Sequence, residues 1–344
     1  MLSKNIGIDL GTTSVQFFVQ GRGVVIDEPS IAAYDAEEGE LLAIGNAALA
    51  MYGKAPRKIR VVKPMGGGVV EDFDVISHIL RVYLERLCKN MLFKPNIVVC
   101  VPSSVTLLEQ RTILDLVTVA GAAKVCLIEE PLAAALGAGI DFDKPGGCMV
   151  VDIGGGTTDI AVLTMGQVSL SRSVKQAGNA LDSAIMRWCR RNKRLVIGAG
   201  TAERVKKLIG YALPLKRVVQ MPVGGKDSVT GQPKCVVLSS DDIYEAMHDK
   251  LFRISEAIRE VLLSTPPELA GDISKNGIIL TGGGALLRGL DDMLLHDLKT
   301  PVRVATNPRY CVVLGTGKAL KNIDVLIRNG HQYRSREELL GYTE

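Results

Sequence analysis

One loop occurs twice in this chain, and the repeat constrains the fold more than any other feature. The first copy, Ile6–Thr13, reads I-G-I-D-L-G-T-T, and the second, Val150–Asp159, reads V-V-D-I-G-G-G-T-T-D. In each copy an apolar strand leads into an aspartate, which glycine and then two threonines follow. The repeat predicts two similar domains, each of which carries one strand–loop–strand hairpin.

Both loops contain the residue types that a phosphate group requires. Glycine lets backbone N–H groups approach a phosphate closely, and threonine hydroxyls add donors. An aspartate at the end of a strand can hold a hydrated Mg²⁺, which prefers carboxylates and retained waters. An ordinary β-turn explains a single loop of this kind more simply. Two loops in the same order favour a clamp on one phosphate-bearing ligand between the two domains.

Composition narrows the class of protein. The chain has 344 residues, enough for two domains of ordinary size, and it is 47% hydrophobic but only 4% aromatic, so we expect an aliphatic core. A net charge of +4 predicts no nucleic-acid partner. The cysteines form no C-x-x-C pair and the four histidines are scattered, which argues against a zinc site. We also expect no signal peptide and no membrane span, and hence a cytoplasmic protein.

Strand and helix patterns alternate along the chain, which is typical of an α/β fold. Apolar residues recur at helical spacing between Ile76 and Leu87. The buried strand predicted for 96–101 ends at Pro102, and Thr106 with Glu109 forms a capping box that opens the next helix. A long helix is predicted for 241–263. Residues 224–234, rich in glycine and polar residues, are predicted to form a loop.

These motifs together resemble the actin, heat-shock-chaperone and sugar-kinase ATPase superfamily, and within it the bacterial actin family MreB/Mbl. The resemblance rests on the two hairpins and on four further runs, and it covers about residues 4 to 325. Those runs are E-P-S-I at 28–31, T-P-P-E-L at 265–269, I-I-L-T-G-G-G-A-L-L-R-G-L at 278–290 and L-G-T-G-K-A-L at 314–320.

The resemblance implies an α/β actin-like ATPase fold of two similar domains, each with a mixed β-sheet flanked by helices, and with the nucleotide in the cleft between them. Domain I is expected over 1–143, with a smaller subdomain at about 31–64. Domain II is expected over 144–325, with a smaller subdomain at about 181–240. Residues 326–344 form a polar tail whose last helix is expected to pack on domain I.

The resemblance also implies ATP and Mg²⁺ as cofactors. Asp9 and Asp152 would face the metal through water. The β- and γ-phosphates would be held by the two loops, that is by Gly11, Thr12, Thr13, Gly154, Gly155, Gly156, Thr157 and Thr158.

Glu130 is the candidate for positioning the attacking water, since superfamily members carry an acidic or amide side chain just before this helix. Thr157 and Asp152 are expected to assist. The alternative is that Glu129 and Glu130 merely favour a helix N-terminus. The resemblance favours catalysis for Glu130 but not for Glu129.

A third set of residues would contact adenosine. Glu203 and Lys206 lie on one helical face and are implied to reach the ribose or adenine, the alternative being an exposed ion pair. Gly282, Gly283, Gly284 and Leu286 would lie against adenosine, although this glycine run can equally begin a helix.

Met91, Leu92 and Phe93 form an apolar triplet between Lys89 and Lys94. A buried loop anchor is the usual explanation of such a triplet. In the MreB family an apolar loop at this place inserts into the membrane, and the flanking lysines would contact anionic headgroups. The implied protein is peripheral at the inner face of the cell membrane.

The implied function is a slow ATPase that polymerises with itself into membrane-associated filaments, which organise cell-wall synthesis and rod shape together with membrane-bound cell-wall synthesis proteins. The rivals are a phosphotransferase of the sugar-kinase type, a chaperone-type ATPase, and a plasmid-segregating or division actin. Two departures from the family's usual sequence affect the expected rate of ATP hydrolysis. Asn179-Ala180 stands where the family usually has Asp-Glu, and Ala199-Gly200 where it usually has Glu-Arg.

Overall fold

The computed structural model describes residues 5–89, 93–141, 146–323 and 333–335. The chain divides into two compact units. Unit 1 comprises Met1–Asp141 and Tyr310–Glu344, and unit 2 comprises Phe142–Arg309. The predicted boundary between Lys144 and the preceding residue lies outside the described residues.

The first segment of unit 1 contains ten strands and four helices among its described residues. The strands are β1 (Asn5–Leu10), β2 (Ser14–Val19), β3 (Gly23–Pro29), β4 (Ala32–Asp35), β5 (Leu41–Ile44), β6 (Ile59–Val62), β7 (Met65–Gly66), β8 (Val69–Val70), β9 (Asn96–Val101) and β10 (Lys124–Glu129). The helices are α1 (Gly45–Met51), α2 (Phe73–Cys88), α3 (Leu107–Val119) and α4 (Glu130–Gly137).

Unit 2 follows, and its described residues form eight strands and five helices. The strands are β11 (Gly147–Ile153), β12 (Thr158–Thr164), β13 (Gln167–Val174), β14 (Leu195–Val196), β15 (Gln220–Asp227), β16 (Pro233–Ser239), β17 (Ile278–Thr281) and β18 (Val302–Val304). The helices are α5 (Gly178–Lys193), α6 (Ala199–Ile209), α7 (Ser240–Ser264), α8 (Pro267–Asn276) and α9 (Leu290–Leu298). A 3-10 turn covers Gly283–Leu286.

The chain then returns to unit 1 as helix α10 (Cys311–Ala319), a short 3-10 turn at Leu320–Asn322 and strand β19 (Tyr333–Ser335). Helix α10 packs directly on α4. A Cβ atom on Gly137 would collide with the backbone carbonyl of Cys311, and one on Gly315 with that of Ala133. Only glycine permits this approach. The second domain was expected to extend to residue 325, whereas the described residues 310–323 belong to unit 1.

The main sheets of the two units share one topology. In unit 1 the strand order is β19-β10-β9-β1-β2-β3, and in unit 2 it is β13-β12-β11-β17-β18. In each, a central strand pairs in parallel with one neighbour and in antiparallel fashion with the hairpin strand that follows it. The duplication seen in the loops therefore extends through five strands of each sheet.

Each sheet supports its own aliphatic core. In unit 1, side chains of β1, β2 and β9 pack against α2 and α3, with Ile6, Ile8, Phe17, Ile76 and Leu116 fully buried. In unit 2, side chains of β11 and β12 pack against α5 and α7, with Val151, Ile160, Ile185 and Ile258 fully buried. These apolar faces hold the loops at the strand ends in place.

Several local predictions are confirmed. Strand β9 ends at Val101, immediately before Pro102. The capping box of α3 is present, since Thr106 N–H donates to Glu109 at 2.7 Å and Glu109 N–H donates to the Thr106 hydroxyl at 3.3 Å. Helix α7 covers the whole long helix predicted for 241–263.

One local prediction is wrong. Residues 224–234 were predicted to be a loop, but most of them belong to the hairpin β15–β16, whose register pairs Gly224 with Cys235. The turn itself is confined to the few residues between Asp227 and Pro233. Cross-strand backbone bonds stabilise this hairpin in spite of its glycines, which local propensity does not register.

Each unit also has a smaller three-stranded sheet. In unit 1 the order is β5-β4-β6, and in unit 2 it is β14-β15-β16. They fall within or close to the ranges 31–64 and 181–240 where smaller subdomains are expected. Within the part of the chain that the structure describes, no helix is both long and apolar enough to cross a bilayer.

Candidate functional site

The first loop is the turn of hairpin β1–β2. The register pairs Leu10 with Val15, and the turn closes through a bond from Gly11 N–H to the Ser14 carbonyl at 3.1 Å. Asp9 lies two residues before this glycine, near the end of β1. The hairpin therefore presents the aspartate and the loop backbone at the same end of the sheet.

The second loop has the same construction. Hairpin β11–β12 pairs Ile153 with Thr158, and Gly154 N–H donates to the Thr157 carbonyl at 2.9 Å. Asp152 again lies two residues before the bonded glycine. Both predicted strand–Asp–Gly–Thr–Thr hairpins are thus present, and each unit contributes one.

The carboxylate of Asp9 lies beside a thiol. Cys100, at the end of β9, donates its S–H to Oδ1 of Asp9 at 3.4 Å. Burial raises the pKa of Asp9 to about 6. The hydrogen bond from Cys100 partly offsets this rise, whereas the nearby charge of Asp27 adds to it. A raised pKa means that the ionised carboxylate is poorly solvated and would gain from a cation.

Glu130 belongs to the same cluster. It is the first residue of α4, it is only 8% exposed, and its carboxylate lies within 4.8 Å of the ligand atoms of Asp9 and Cys100. Glu129 points elsewhere and accepts a hydrogen bond from the Ser103 hydroxyl at 2.9 Å. The two adjacent glutamates therefore have different surroundings, and Glu130 is the one beside Asp9.

The threonines of the first loop are more exposed. The hydroxyl of Thr12 accepts a bond from Gly68 N–H at 3.0 Å, which ties the loop to the turn between β7 and β8. That hydroxyl keeps its own proton for another acceptor. Thr13 is exposed at the tip of the loop, and its carbonyl accepts from Ser30 N–H at 3.1 Å.

In unit 2, Asp152 is held by a neighbouring strand. Thr281, the last residue of β17, donates its hydroxyl to Oδ1 of Asp152 at 2.6 Å, and both side chains are buried. The register of the two parallel strands places these residues side by side. Thr281 was not predicted as a site residue. The signal that could have found it is the one that indicates Asp152, a polar residue near the end of an apolar strand.

Thr157 and Thr158 differ in what they can do. Thr157 lies in the loop and is 8% exposed. Thr158 is fully buried on β12, and its hydroxyl donates to the Gln176 carbonyl at 2.6 Å. The Thr158 hydroxyl therefore has no proton left to donate to a phosphate, because its single proton already has a buried acceptor.

Helix α5 begins on the second loop. The N–H groups of Gly178 and Asn179 donate to the carbonyls of Gly154 and Gly155 at 3.1 and 2.8 Å. Asn179 therefore acts here through its backbone. Asp182, one turn further on, lies close to Lys206 of helix α6, where Nζ to Oδ1 measures 2.8 Å.

Lys206 has two partners at the start of helix α5. Its ammonium group bonds to Asp182 and to the Gly178 carbonyl, the latter at 2.9 Å, and its side chain is only 14% exposed. Glu203 instead pairs with the exposed Lys207 at 2.6 Å. The alternative of an exposed Glu203–Lys206 ion pair is therefore wrong, because each residue has another partner, and Lys206 supports the start of α5.

The three glycines after β17 also have separate roles. A Cβ atom on Gly282 or Gly284 would collide with Ile153, and Gly282 adopts a φ of +80°, so both positions are required by the fold. Gly283 has open space on its Cβ side. Leu286, which ends the 3-10 turn, is 59% exposed. Gly283 and Leu286 are thus the members of this motif that remain accessible to a ligand.

Of the apolar triplet, Met91 and Leu92 lie outside the described residues. Phe93 is 56% exposed, and the neighbouring Lys89 and Lys94 are exposed as well. Because its ring is exposed, Phe93 is not a buried anchor of the loop.

The carboxylate of each loop suits Mg²⁺ by its chemistry. Asp9 in unit 1 and Asp152 in unit 2 each offer hard oxygens, and Mg²⁺ combines a few such oxygens with water. The Cys100 thiol does not suit it, because Mg²⁺ avoids sulfur.

Comparisons with known proteins bear on this site. The protein-family model described as MreB/Mbl protein matches residues 3–328. The cell shape-determining protein Mbl of Bacillus cereus is 43% identical over 327 residues, covering 95% of this chain and 98% of that protein. The crystal structure of MreB5 of Spiroplasma citri bound to ADP is 38% identical, with a TM-score of 0.91, and covers 95% of this chain and 99% of that one. The same protein bound to AMPPNP gives a TM-score of 0.90 at 38% identity, covering 96% and 99%. These likenesses confirm the predicted α/β actin-like fold.

Proposed function

Because this chain belongs to the MreB/Mbl family, we propose that it binds ATP, hydrolyses it slowly and polymerises with itself into filaments that determine cell shape. The observation that carries the proposal is the duplicated hairpin, in which Asp9 and Asp152 each precede a glycine turn of the same construction. Relatives named for cell shape and a relative bound to ADP and AMPPNP support it.

We assign the β- and γ-phosphates of ATP to the backbone N–H groups of residues 11–13 and 154–157, with the hydroxyls of Thr12, Thr13 and Thr157 as further donors. Asp9 and Asp152 hold Mg²⁺ through its waters, and the metal supplies charge neutralisation at the phosphates. Thr281 keeps Asp152 oriented through the bond at 2.6 Å. Adenosine lies against Gly283 and Leu286, and Glu203 reaches the ribose.

Glu130 orients the attacking water and accepts its proton. It lies at the N-terminus of α4 beside Asp9, where a carboxylate is buried but not fully enclosed. Glu129 is held by Ser103 and takes no part. General-base assistance of this kind contributes about 10²- to 10⁴-fold to a rate.

The filament is proposed to lie at the inner face of the cell membrane, in the cytoplasm, where it meets cell-wall synthesis proteins. Phe93 with Lys89 and Lys94 offers an exposed ring between two cations, which suits an anionic lipid surface. One such loop buries little area, so stable attachment requires the many copies that a filament supplies. ATP favours the polymerising form and hydrolysis loosens subunit contacts, because the two states differ in their affinity for the nucleotide.

Electron microscopy of the full chain with liposomes that contain anionic lipid tests this function. We expect filaments on the liposomes with ATP and few without nucleotide. Phe93→Ser should reduce liposome binding and leave nucleotide binding intact, whereas Leu263→Ser, which removes an even more exposed apolar side chain from α7, should change neither. Failure to form ATP-dependent filaments across a range of salt and protein concentrations would refute the proposal that the protein polymerises.

A further inference from the structure

We propose that Asp9, Cys100 and Glu130 form a binding site for a thiophilic divalent cation of the Zn²⁺ class, distinct from the Mg²⁺ that accompanies the nucleotide. The three residues come from β1, β9 and the first turn of α4, all within unit 1. They offer one thiolate and two carboxylates. Sequence spacing does not show such a site, because the residues are far apart along the chain.

The geometry suits a tetrahedral ion. The ligand atoms of the three side chains all lie within 4.8 Å of one another. Sγ of Cys100 and Oδ1 of Asp9 are 3.4 Å apart. With metal–sulfur and metal–oxygen bonds of about 2.3 and 2.1 Å, tetrahedral coordination requires about 3.6 Å between these two atoms. The Glu130 carboxylate, within 4.8 Å of both atoms, supplies the third ligand, and water takes the fourth position.

The donor set selects the cation. A thiolate favours Zn²⁺ and similar ions over Mg²⁺, and imidazole is not required when carboxylates complete the shell. On binding, the Cys100 thiol releases its proton to solvent and its sulfur bonds to the metal, with no change of oxidation state. Three negative ligands around one divalent ion leave a net charge of minus one, far less than the uncompensated anions would carry.

The site has a consequence for nucleotide turnover, which rests on the proposed function. A cation bound by Asp9 and Glu130 withdraws both carboxylates from Mg²⁺ and from the attacking water. Zn²⁺ is therefore expected to inhibit ATP hydrolysis in competition with Mg²⁺ and ATP. Cys100 is 2% exposed, so the ion approaches from the side of the more accessible Asp9.

Titration of the nucleotide-free full chain with Co²⁺ tests the site directly. A cobalt–thiolate bond gives a charge-transfer band in the near ultraviolet, and added Zn²⁺ should remove it. We expect the band in the wild type, its loss in Cys100→Ser, and its retention in Cys126→Ser. Cys126 is the matched control because it is equally buried on the neighbouring strand β10.

A second variant guards against misfolding of Cys100→Ser. Glu130→Gln keeps the thiol and should weaken Co²⁺ binding at least tenfold, with a thermal unfolding curve like that of the wild type. The proposal is overturned if the wild type gives no band, if Cys100→Ser retains it, or if Glu130→Gln binds Co²⁺ as the wild type does. Since no nucleotide is present, a protein that binds Co²⁺ but shows no ATPase activity would refute only the proposed function.

Discussion

Thr281 donates its hydroxyl to Oδ1 of Asp152 at 2.6 Å, across two parallel strands of unit 2. The two residues are far apart in sequence, and both are buried. The bond holds Oδ1 of the Asp152 carboxylate in place. Asp152 is therefore a preorganised group rather than a freely rotating one.

Removal of this hydroxyl should weaken the binding of Mg²⁺ and nucleotide. A hydrogen bond to a charged group contributes about 1.5–3 kcal/mol. We expect Thr281→Val, which keeps the shape of the side chain, to lower the affinity for ADP with Mg²⁺ at least tenfold in calorimetric titration. Thr281→Ser keeps the hydroxyl and should bind within about threefold of the wild type, allowing about 0.6 kcal/mol for the lost methyl contacts. Equal affinities for the valine variant and the wild type would contradict the role of this bond.

The two adjacent glutamates provide a matched pair for hydrolysis. Glu130→Gln should retain ATP binding but release phosphate about 10²- to 10⁴-fold more slowly, because an amide cannot accept the proton of water. Glu129→Gln should hydrolyse at a rate close to that of the wild type, since Glu129 bonds to Ser103. Single-turnover phosphate release measures both. Similar rates for the two variants would remove Glu130 from the reaction.

The ion pair Lys206–Asp182 should matter for the stability of unit 2. Both side chains are mostly buried, and removal of one partner leaves the other charge poorly solvated. Lys206→Met is expected to lower the free energy of unfolding by about 3 kcal/mol, the lower end of the range for a broken buried pair. Lys207→Met removes the exposed partner of Glu203 and should cost less than about 1 kcal/mol. Chemical denaturation with a double-mutant cycle on Lys206 and Asp182 checks the coupling.

Asp9 should oppose folding in the absence of ligand. Burial raises its pKa from 3.8 to about 6 in the folded chain, so the folded state disfavours the ionised form. Above about pH 6 the carboxylate is ionised in both states, and a shift of about two units corresponds to at most about 3 kcal/mol of lost stability. Asp9→Asn is therefore expected to stabilise the nucleotide-free protein at pH 7.

The stabilisation by Asp9→Asn should decrease as the pH is lowered. As the pH falls from about 6 to about 4, Asp9 of the wild type becomes protonated in the folded state and then in the unfolded state, so the advantage of asparagine should disappear. Denaturant titrations at pH 4.5 and 7 measure the difference. The variant should also bind Mg²⁺ and ADP poorly. A stabilisation of the same size at both pH values would point to a cause other than the charge.

Local chemistry made much of this fold predictable. The end of β9 at Pro102, the capping box at Thr106 and the two Asp-Gly-Thr-Thr hairpins all depend on residues within a few positions of one another. Hairpin β15–β16 was missed for the opposite reason, because the cross-strand bonds that hold Gly224 opposite Cys235 have no local signature.

The residues of the candidate site likewise fall into those that the sequence indicates and those that only the structure reveals. The repeated sequence motifs indicated Asp9 and Asp152, and the family resemblance indicated Glu130. They did not locate Cys100 or Thr281, which reach the aspartates only because β1 lies next to β9 and β11 next to β17. The partners of Lys206 were likewise unpredictable, because helical spacing identifies residues on a face but not the neighbouring helix that meets it.

By itself, the sequence determined the two hairpins, the alternation of strands and helices, and the family. The hairpins and the alternation follow from residue spacing and from backbone preferences that act over a few residues, and the family follows from the resemblance of the motifs. Only the tertiary structure decided that helix α10 packs on α4, that Ile153 occupies the space beside Gly282 and Gly284, and that Cys100 joins Asp9 and Glu130. Such contacts depend on which strands and helices become neighbours, and burial of the aliphatic faces of the whole chain determines that choice.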